Sequence, residues 1–184
     1  VAAADQGSPI LQTGPIQLKS DDPVYELLLP ASYGAPVPPE DPPRYYRSAG
    51  RESWARVSAI LAAIPHPLKQ NPAGITAEEM VPLISLPPGA TWTFSRTKWK
   101  DLEIGVLEYR AVVNNLPVLG LSTILPLARK GLRFTVYAPD PLETEVREDF
   151  QMLLTKITRT ESNWLTEEAL RNAALLQKVT IAGG

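Results

Sequence analysis

The stretch LEIGVLEYRAVVNNLPVLGLSTILPL, running from Leu102 to Leu127, decides the fold. At its centre Asn114-Asn115 tolerates positive φ at both inner positions of a two-residue turn. The pattern therefore predicts a β-hairpin, with one strand over 102–113 and its return over 116–127. Side chains alternate across a strand, so Leu102, Ile104 and Val106 fall on one face and Leu107, Tyr109 and Ala111 on the other. A strand that is apolar on both faces is covered on both faces, which places this hairpin inside a layered structure.

Further strands flank the hairpin. Ala128-Arg129-Lys130-Gly131 turns the chain, and 132–138 alternates with Leu132, Phe134, Val136 and Ala138 on one face. Upstream, 91–99 alternates Trp92, Phe94 and Arg96 against Thr93, Ser95 and Thr97. Val24 to Leu29 is a short apolar strand stopped by Pro30. Trp54 to Ile64 ends at Pro65 and fits a strand or a helix, with the alternation of Val57, Ala59 and Leu61 tipping it toward a strand.

Helix signals come from caps and period. Asp140-Pro141-Leu142-Glu143 reads as an N-cap, a proline at the first helical position and an acid at the third. Val146, Phe150, Leu153, Leu154 and Ile157 continue with a helical period, and Phe150 and Leu154 are expected in the core. Thr76 opens a shorter helix with Glu79 completing a capping box, Ile75 stapled onto Met80, and Pro82 as its expected stop. Thr166 caps another helix, with Glu167 and Glu168 in its first turn. The sum is an α+β fold: one antiparallel sheet of five to seven strands with helices packed on it.

The chain has 184 residues, 44% of them hydrophobic and 21% charged, which fits one domain. Residues 1–22 lack a clear period and read as an extended lead-in, with a single α+β domain over 23–184. Lys plus Arg number 18 against 20 Asp plus Glu, a net charge of −2, which argues against a duplex-DNA binder; no nucleic-acid partner is expected. With no cysteine the chain has no disulfide, zinc–thiolate site, iron–sulfur cluster or thiol nucleophile. No run approaches the roughly 20 apolar residues of a membrane span. The small residues from Val1 to Asp5 are of the kind that flank signal-peptidase cuts, so export to the periplasm or the extracellular space is expected, with a cytoplasmic protein as the alternative. Of the 19 prolines, 11 cluster around 36–43, 65–72 and 82–88 and mark loops.

Catalytic chemistry finds little purchase. The single histidine, His66, stands between Pro65 and Pro67 with no nucleophile or orienting carboxylate supplied by a motif. There is no G-x-S-x-G elbow, phosphate-binding loop or G-x-G-x-x-G. The acid pairs Glu78/Glu79, Glu143/Glu145 and Glu167/Glu168 all suit helix N-termini. No catalytic, cofactor-binding or metal-binding residue is therefore assigned. The recognition candidate is Arg44-Tyr45-Tyr46-Arg47 with Arg51 and Trp54, because Arg, Tyr and Trp anchor interfaces. In a strand Tyr45 and Tyr46 face opposite ways, and one is expected to be exposed beside an apolar patch at the sheet edge. The competing reading is a packed strand whose arginines pair with acids. Trp92, Arg96, Lys98, Trp99 and Lys100 form a second such stretch, read as a strand with one half-buried face.

Tyr25-Glu26-Leu27-Leu28-Leu29-Pro30-Ala31-Ser32-Tyr33 resembles the opening strand of PsbP-like proteins: aromatic at the start, ended by proline, with a second aromatic shortly after. The later hairpin, the 132–138 strand and the helix carrying Phe150 follow in the family's order, so the resemblance spans about 24–160. It implies an α-β-α sandwich and a compact docking module with no catalytic motif to carry over. The functional expectation is an exported, non-enzymatic binding or assembly module that docks a protein. The alternative is a small hydrolase using carboxylates and His66 in a proline-walled cleft.

Overall fold

A computed structural model describes residues 10–12, 15–21, 24–49, 52, 55–64, 76–100, 102–127 and 130–157. Its elements in chain order are β1 (Ile10–Gln12), β2 (Ile16–Asp21), β3 (Val24–Leu29), β4 (Ala35–Pro36), β5 (Arg44–Ser48), β6 (Arg56–Ile64), α1 (Ala77–Ile84), β7 (Thr91–Trp99), β8 (Leu102–Val113), β9 (Leu116–Pro126), β10 (Gly131–Pro139) and α2 (Glu143–Lys156). Arg51, Trp54, His66, Ile75 and the helix expected from Thr166 lie outside the described residues.

The asparagine turn forms as the sequence demands. Asn114 and Asn115 sit at φ 51° and 64°, and Val113 pairs with Leu116 across them. From this hairpin the sheet grows in both directions to six antiparallel strands in the order β5-β6-β10-β9-β8-β7. Phe134 on β10 stands opposite Thr123 of β9 and Leu61 of β6. That register puts Val57, Ala59, Leu61, Phe134, Val136, Leu119 and Leu121 on one face, all buried. α2 lies against this face and inserts Val146, Phe150, Leu153 and Leu154. The rings of Phe134 and Phe150 stack with centroids 5.4 Å apart. At the far end of α2, the indole Nε1 of Trp99 donates to the Leu154 carbonyl at 3.0 Å, and Lys100 Nζ donates to the Thr155 carbonyl at 3.0 Å. Carbonyls of a helix's last turn have no partner within the helix, so these two bonds satisfy them from β7 and the turn after it.

The opposite face is covered by α1. Met80 and Ile84 are buried against Leu107 and Ile124. With a helix on each face, the architecture is the expected α+β sandwich. The β2–β3 ribbon packs on the α2 side, where Ile16, Tyr25, Leu27 and Leu29 join the main core. Within the lead-in expected over 1–22, the segment Ile16–Asp21 is thus a paired strand of the folded unit.

Two local expectations are corrected. Asp140 does not cap a helix. A 3₁₀ turn at Asp140–Leu142 leads into α2, whose first turn has no side-chain cap. The Asp140 carboxylate is bound instead by Arg110 of β8, which also reaches Glu143 at 3.1 Å. A guanidinium is a stronger partner for a carboxylate than a backbone amide is, and only the strand order brings Arg110 there. Pro82 does not stop α1. The Thr76–Glu79 capping box forms, and the helix runs through Pro82 to Ile84, ending at Ser85 with φ 60°. Pro82 faces solvent and forfeits one hydrogen bond, while Met80 and Ile84 on either side of it hold the helix to the sheet.

Phe150→Ala should destabilise the protein by about 3–5 kcal/mol, because it empties a fully buried site facing Phe134. The measurement is the urea midpoint at unchanged slope. A midpoint within error of the wild type would mean that α2 does not cover the sheet.

Candidate functional site

The expected recognition segment is β5, and the structure splits it between the two faces of the sheet. Tyr45 and Arg47 point toward α2. Arg47 Nε donates to Asp149 Oδ2 at 2.7 Å, and Tyr45 is half-buried against the main core. Arg44 and Tyr46 point the other way. The Tyr46 hydroxyl donates to Glu40 Oε1 at 2.6 Å, and the Arg56 guanidinium lies 5.2 Å over its ring. The expectation of an exposed tyrosine is overturned: Tyr46 is buried and Tyr45 half-buried. β5 is the outermost strand of the six-stranded sheet, but its outer side is met by Gly34, whose N–H and C=O exchange bonds of 2.8 and 3.1 Å with Tyr46. The four described residues therefore form no common patch. In the second stretch, Trp99 is fully buried while Trp92 is 39% exposed. β7 is more open than expected, because it is an outermost strand and α1 reaches only to Phe94.

Arg44 enters a different constellation. On the α1 face, beyond the end of the helix, lies a cleft of about 430 Å³. Tyr109 of β8, Tyr137 of β10 and Ile60 of β6 line it from the sheet, and Ser85, Pro87 and Pro88 line it where the chain leaves α1. Arg44 lies with its guanidinium carbon 5.6 Å over the Tyr137 ring. Among the described residues that line the cleft, Arg44 alone is charged. Its Nε is buried without a hydrogen-bond acceptor, since Glu40 Oε2 stands 3.7 Å away. Leaving such a donor unmatched costs about 1–3 kcal/mol. At the mouth lie Val112 and Val113, 64% and 37% exposed. A second hollow of about 440 Å³ lies near the proline-rich loop at Pro42 and Pro43 and is lined by both Asp41 and Arg133, so its charge is mixed.

A glycine shapes the cleft. Tyr109 pairs across the sheet with Gly120, and its ring lies over that glycine. A Cβ built at Gly120 would stand 2.2 Å from Tyr109 Cζ. Gly120→Ala should therefore push the ring outward and destabilise the protein by about 1–3 kcal/mol. Thermal melting reads the loss, and an unchanged melting temperature would show that the ring lies elsewhere.

The phenols report how dry these sites are. Burial pushes Tyr25 and Tyr46 up to about 12, aided at Tyr25 by the neighbouring Tyr45 hydroxyl and at Tyr46 by its bond to Glu40. Burial raises Tyr109 further, with the Tyr137 hydroxyl beside it, and raises Tyr33, which also donates to Asp149. A raised phenol stabilises the fold below its unfolded value of 10.0. That contribution is lost as pH rises through the folded value. Phenolate absorbance of the native protein should thus lag that of the unfolded chain between pH 10 and about 12, with stability falling across the same window. Coincident titration curves would show tyrosines in water.

Of the carboxylates singled out from sequence, Glu79 and Glu143 are engaged structurally, and Glu167 and Glu168 lie outside the described residues. Glu79 closes the capping box, and Glu143 lies between Arg110 and Arg147. Among the described residues no group of three or more His, Cys, Asp or Glu side chains is placed to hold a metal ion, and no helix is long and apolar enough to cross a membrane.

No protein-family model and no curated protein matches this chain. Among solved structures it is similar to cyanobacterial PsbP (CyanoP) from Synechocystis, with 15% identity and a TM-score of 0.49, over 82% of this chain and 95% of that one. It is also similar to LpqN of Mycobacterium tuberculosis, a protein involved in cell envelope biogenesis, with 16% identity and a TM-score of 0.39, over 83% of this chain and 86% of that one. The PsbP-like resemblance is one of fold.

Proposed function

We propose that this chain is a non-enzymatic binding module that docks a protein partner at the Arg44 cleft and its valine rim. The observation that carries the reading is the placement of exposed apolar surface. Large hydrophobic residues exposed among the described ones are Leu28, Val37, Trp92, Val112 and Val113, and the last two border the cleft. Trp92 stands opposite Tyr109, which lines it. Apolar side chains left in water around a concave, largely apolar site are what a protein interface covers. Arg44, Tyr45, Tyr46, Arg47 and Trp54 were the residues the sequence favoured for docking; in this reading Arg44 keeps that role, and Tyr45, Tyr46 and Arg47 serve the sheet. Nothing observed favours the hydrolase reading, whose His66 lies outside the described residues.

A photo-crosslinking residue at Val113, in the native source, should yield a discrete protein adduct. The same residue at Glu148, on the solvent side of α2, should not. Equal labelling from both positions, or none from Val113, would place the docking surface elsewhere.

A further inference from the structure

The two edges of the six-stranded sheet are not alike. β5 is met on its outer side by Gly34, whereas β7 ends the strand order and pairs with β8 alone among the described strands. β7 is also regular. Nine consecutive residues, Thr91 to Trp99, pair with β8 without a bulge or a proline, and most of them are exposed. Such an edge presents a row of outward N–H and C=O groups ready to pair with another strand, and natural sheets usually interrupt it.

The side chains of β7 say which strand fits. Phe94 packs on the α1 face and Trp99 on the α2 face. Alternation therefore puts Trp92, Phe94, Arg96 and Lys98 toward α1, and Thr91, Thr93, Ser95 and Thr97 toward α2. On the α1 side two aromatics are followed by two cations. Read against its own reverse about Ser95, that order sets Trp92 opposite Lys98 and Phe94 opposite Arg96. Each aromatic meets a cation, an attractive contact, and no cation meets a cation. Within the strand Arg96 already lies 5.3 Å over the Phe94 ring, so a second guanidinium approaches a ring that suits one. On the other side Thr93 meets Thr97 and Ser95 meets its own copy, hydroxyl pairs of the kind that stabilise sheets. Centring the pair on Arg96 would set guanidinium on guanidinium. Centring it on Phe94 would carry Lys98 past the strand end, opposite Ala90.

We infer that β7 pairs antiparallel with β7 of a second copy of this chain, about a two-fold axis that passes through Ser95 perpendicular to the sheet. Such an axis keeps the two α1 faces on one side and closes the interface on itself. With β5 met by Gly34, association stops at two copies. The surface is the sheet edge and not the Arg44 cleft, so the inference stands apart from the docking reading.

The chain has no cysteine, which makes a single introduced thiol a clean probe. Directly opposed residues of antiparallel strands have Cα atoms about 4.5–5.5 Å apart, within disulfide reach. Ser95→Cys lies on the axis, whereas two copies of Thr93→Cys would stand about 13 Å apart along the strands. Under mild oxidation Ser95→Cys should form a two-chain species at least about ten-fold faster than Thr93→Cys. Sedimentation velocity of the unmodified protein should show a mass that rises with concentration from one chain to two and no further. Trp92→Lys sets cation against cation and should weaken association about ten-fold, and adding Lys98→Glu should restore it. Equal crosslinking at the two positions, a single-chain mass at every concentration, or growth beyond two chains would overturn the inference. So would a loss that the second substitution fails to restore while circular dichroism shows both variants folded.

Discussion

One buried carboxylate ties the layers together. Asp149, on the inner side of α2, accepts from the Tyr33 hydroxyl at 2.6 Å and from Arg47 Nε at 2.7 Å. Tyr33 belongs to the loop after β3 and is fully buried; Arg47 belongs to β5. A charge held this far from water is tolerated because both bonds are made; removing Arg47 would leave it uncompensated, and removing Tyr33 would take away its second donor. The bond to Arg47 has a consequence for the opposite face. Residues three apart on a strand point opposite ways, so a strand that turns Arg47 down to α2 must turn Arg44 up to the other side. Arg44 lines the cleft because Arg47, three residues further along the strand, is anchored to α2.

The two faces of the sheet are covered unequally, and the difference creates the cleft. The α2 face is closed by a 14-residue helix, the β2–β3 ribbon and the indole of Trp99. The α1 face carries an eight-residue helix seated on Leu107 and Ile124. The left-handed Ser85 ends that helix and sends Pro87 and Pro88 along the wall of the cleft. Beyond them Tyr109 and Tyr137 cover the sheet by themselves, Tyr109 lying flat because Gly120 beneath it has no side chain. The same six strands therefore supply a dry core on one side and a recessed, half-wet site on the other.

At the end of the sheet, Arg147 bridges Glu108 at 2.7 Å and Glu143 at 2.8 Å, while Arg110 joins Glu143 to Asp140. Arg147 holds the Glu108 carboxyl below its usual range by hydrogen bonding, and Glu143 is lowered by Arg147 and Arg110 together. These groups are partly exposed, so water screens them and each pair contributes little alone. Their effect is geometric: they set the entry of α2 over β8 without a side-chain cap.

What the sequence determined by itself were features decided within a few residues. The Asn114-Asn115 turn, the two-faced apolar pattern of 102–113, the inner stripe of Phe150 and Leu154, and the Thr76–Glu79 box are local physics, and all stand in the structure. Alternation also separated Tyr45 from Tyr46 correctly; what it could not show was that Gly34 covers the outer side of β5 and Glu40 takes the phenol. Tertiary structure alone decided the partners. Asp140 meets Arg110 across 30 residues, and Arg47 meets Asp149 across 102. The cleft is further still from the linear pattern, since Arg44, Ile60, Tyr137 and Tyr109 become neighbours only through the strand order β5-β6-β10-β9-β8. Periodicity fixes which face a residue takes. Which residues share that face depends on strand pairing, and pairing is a property of the whole sheet.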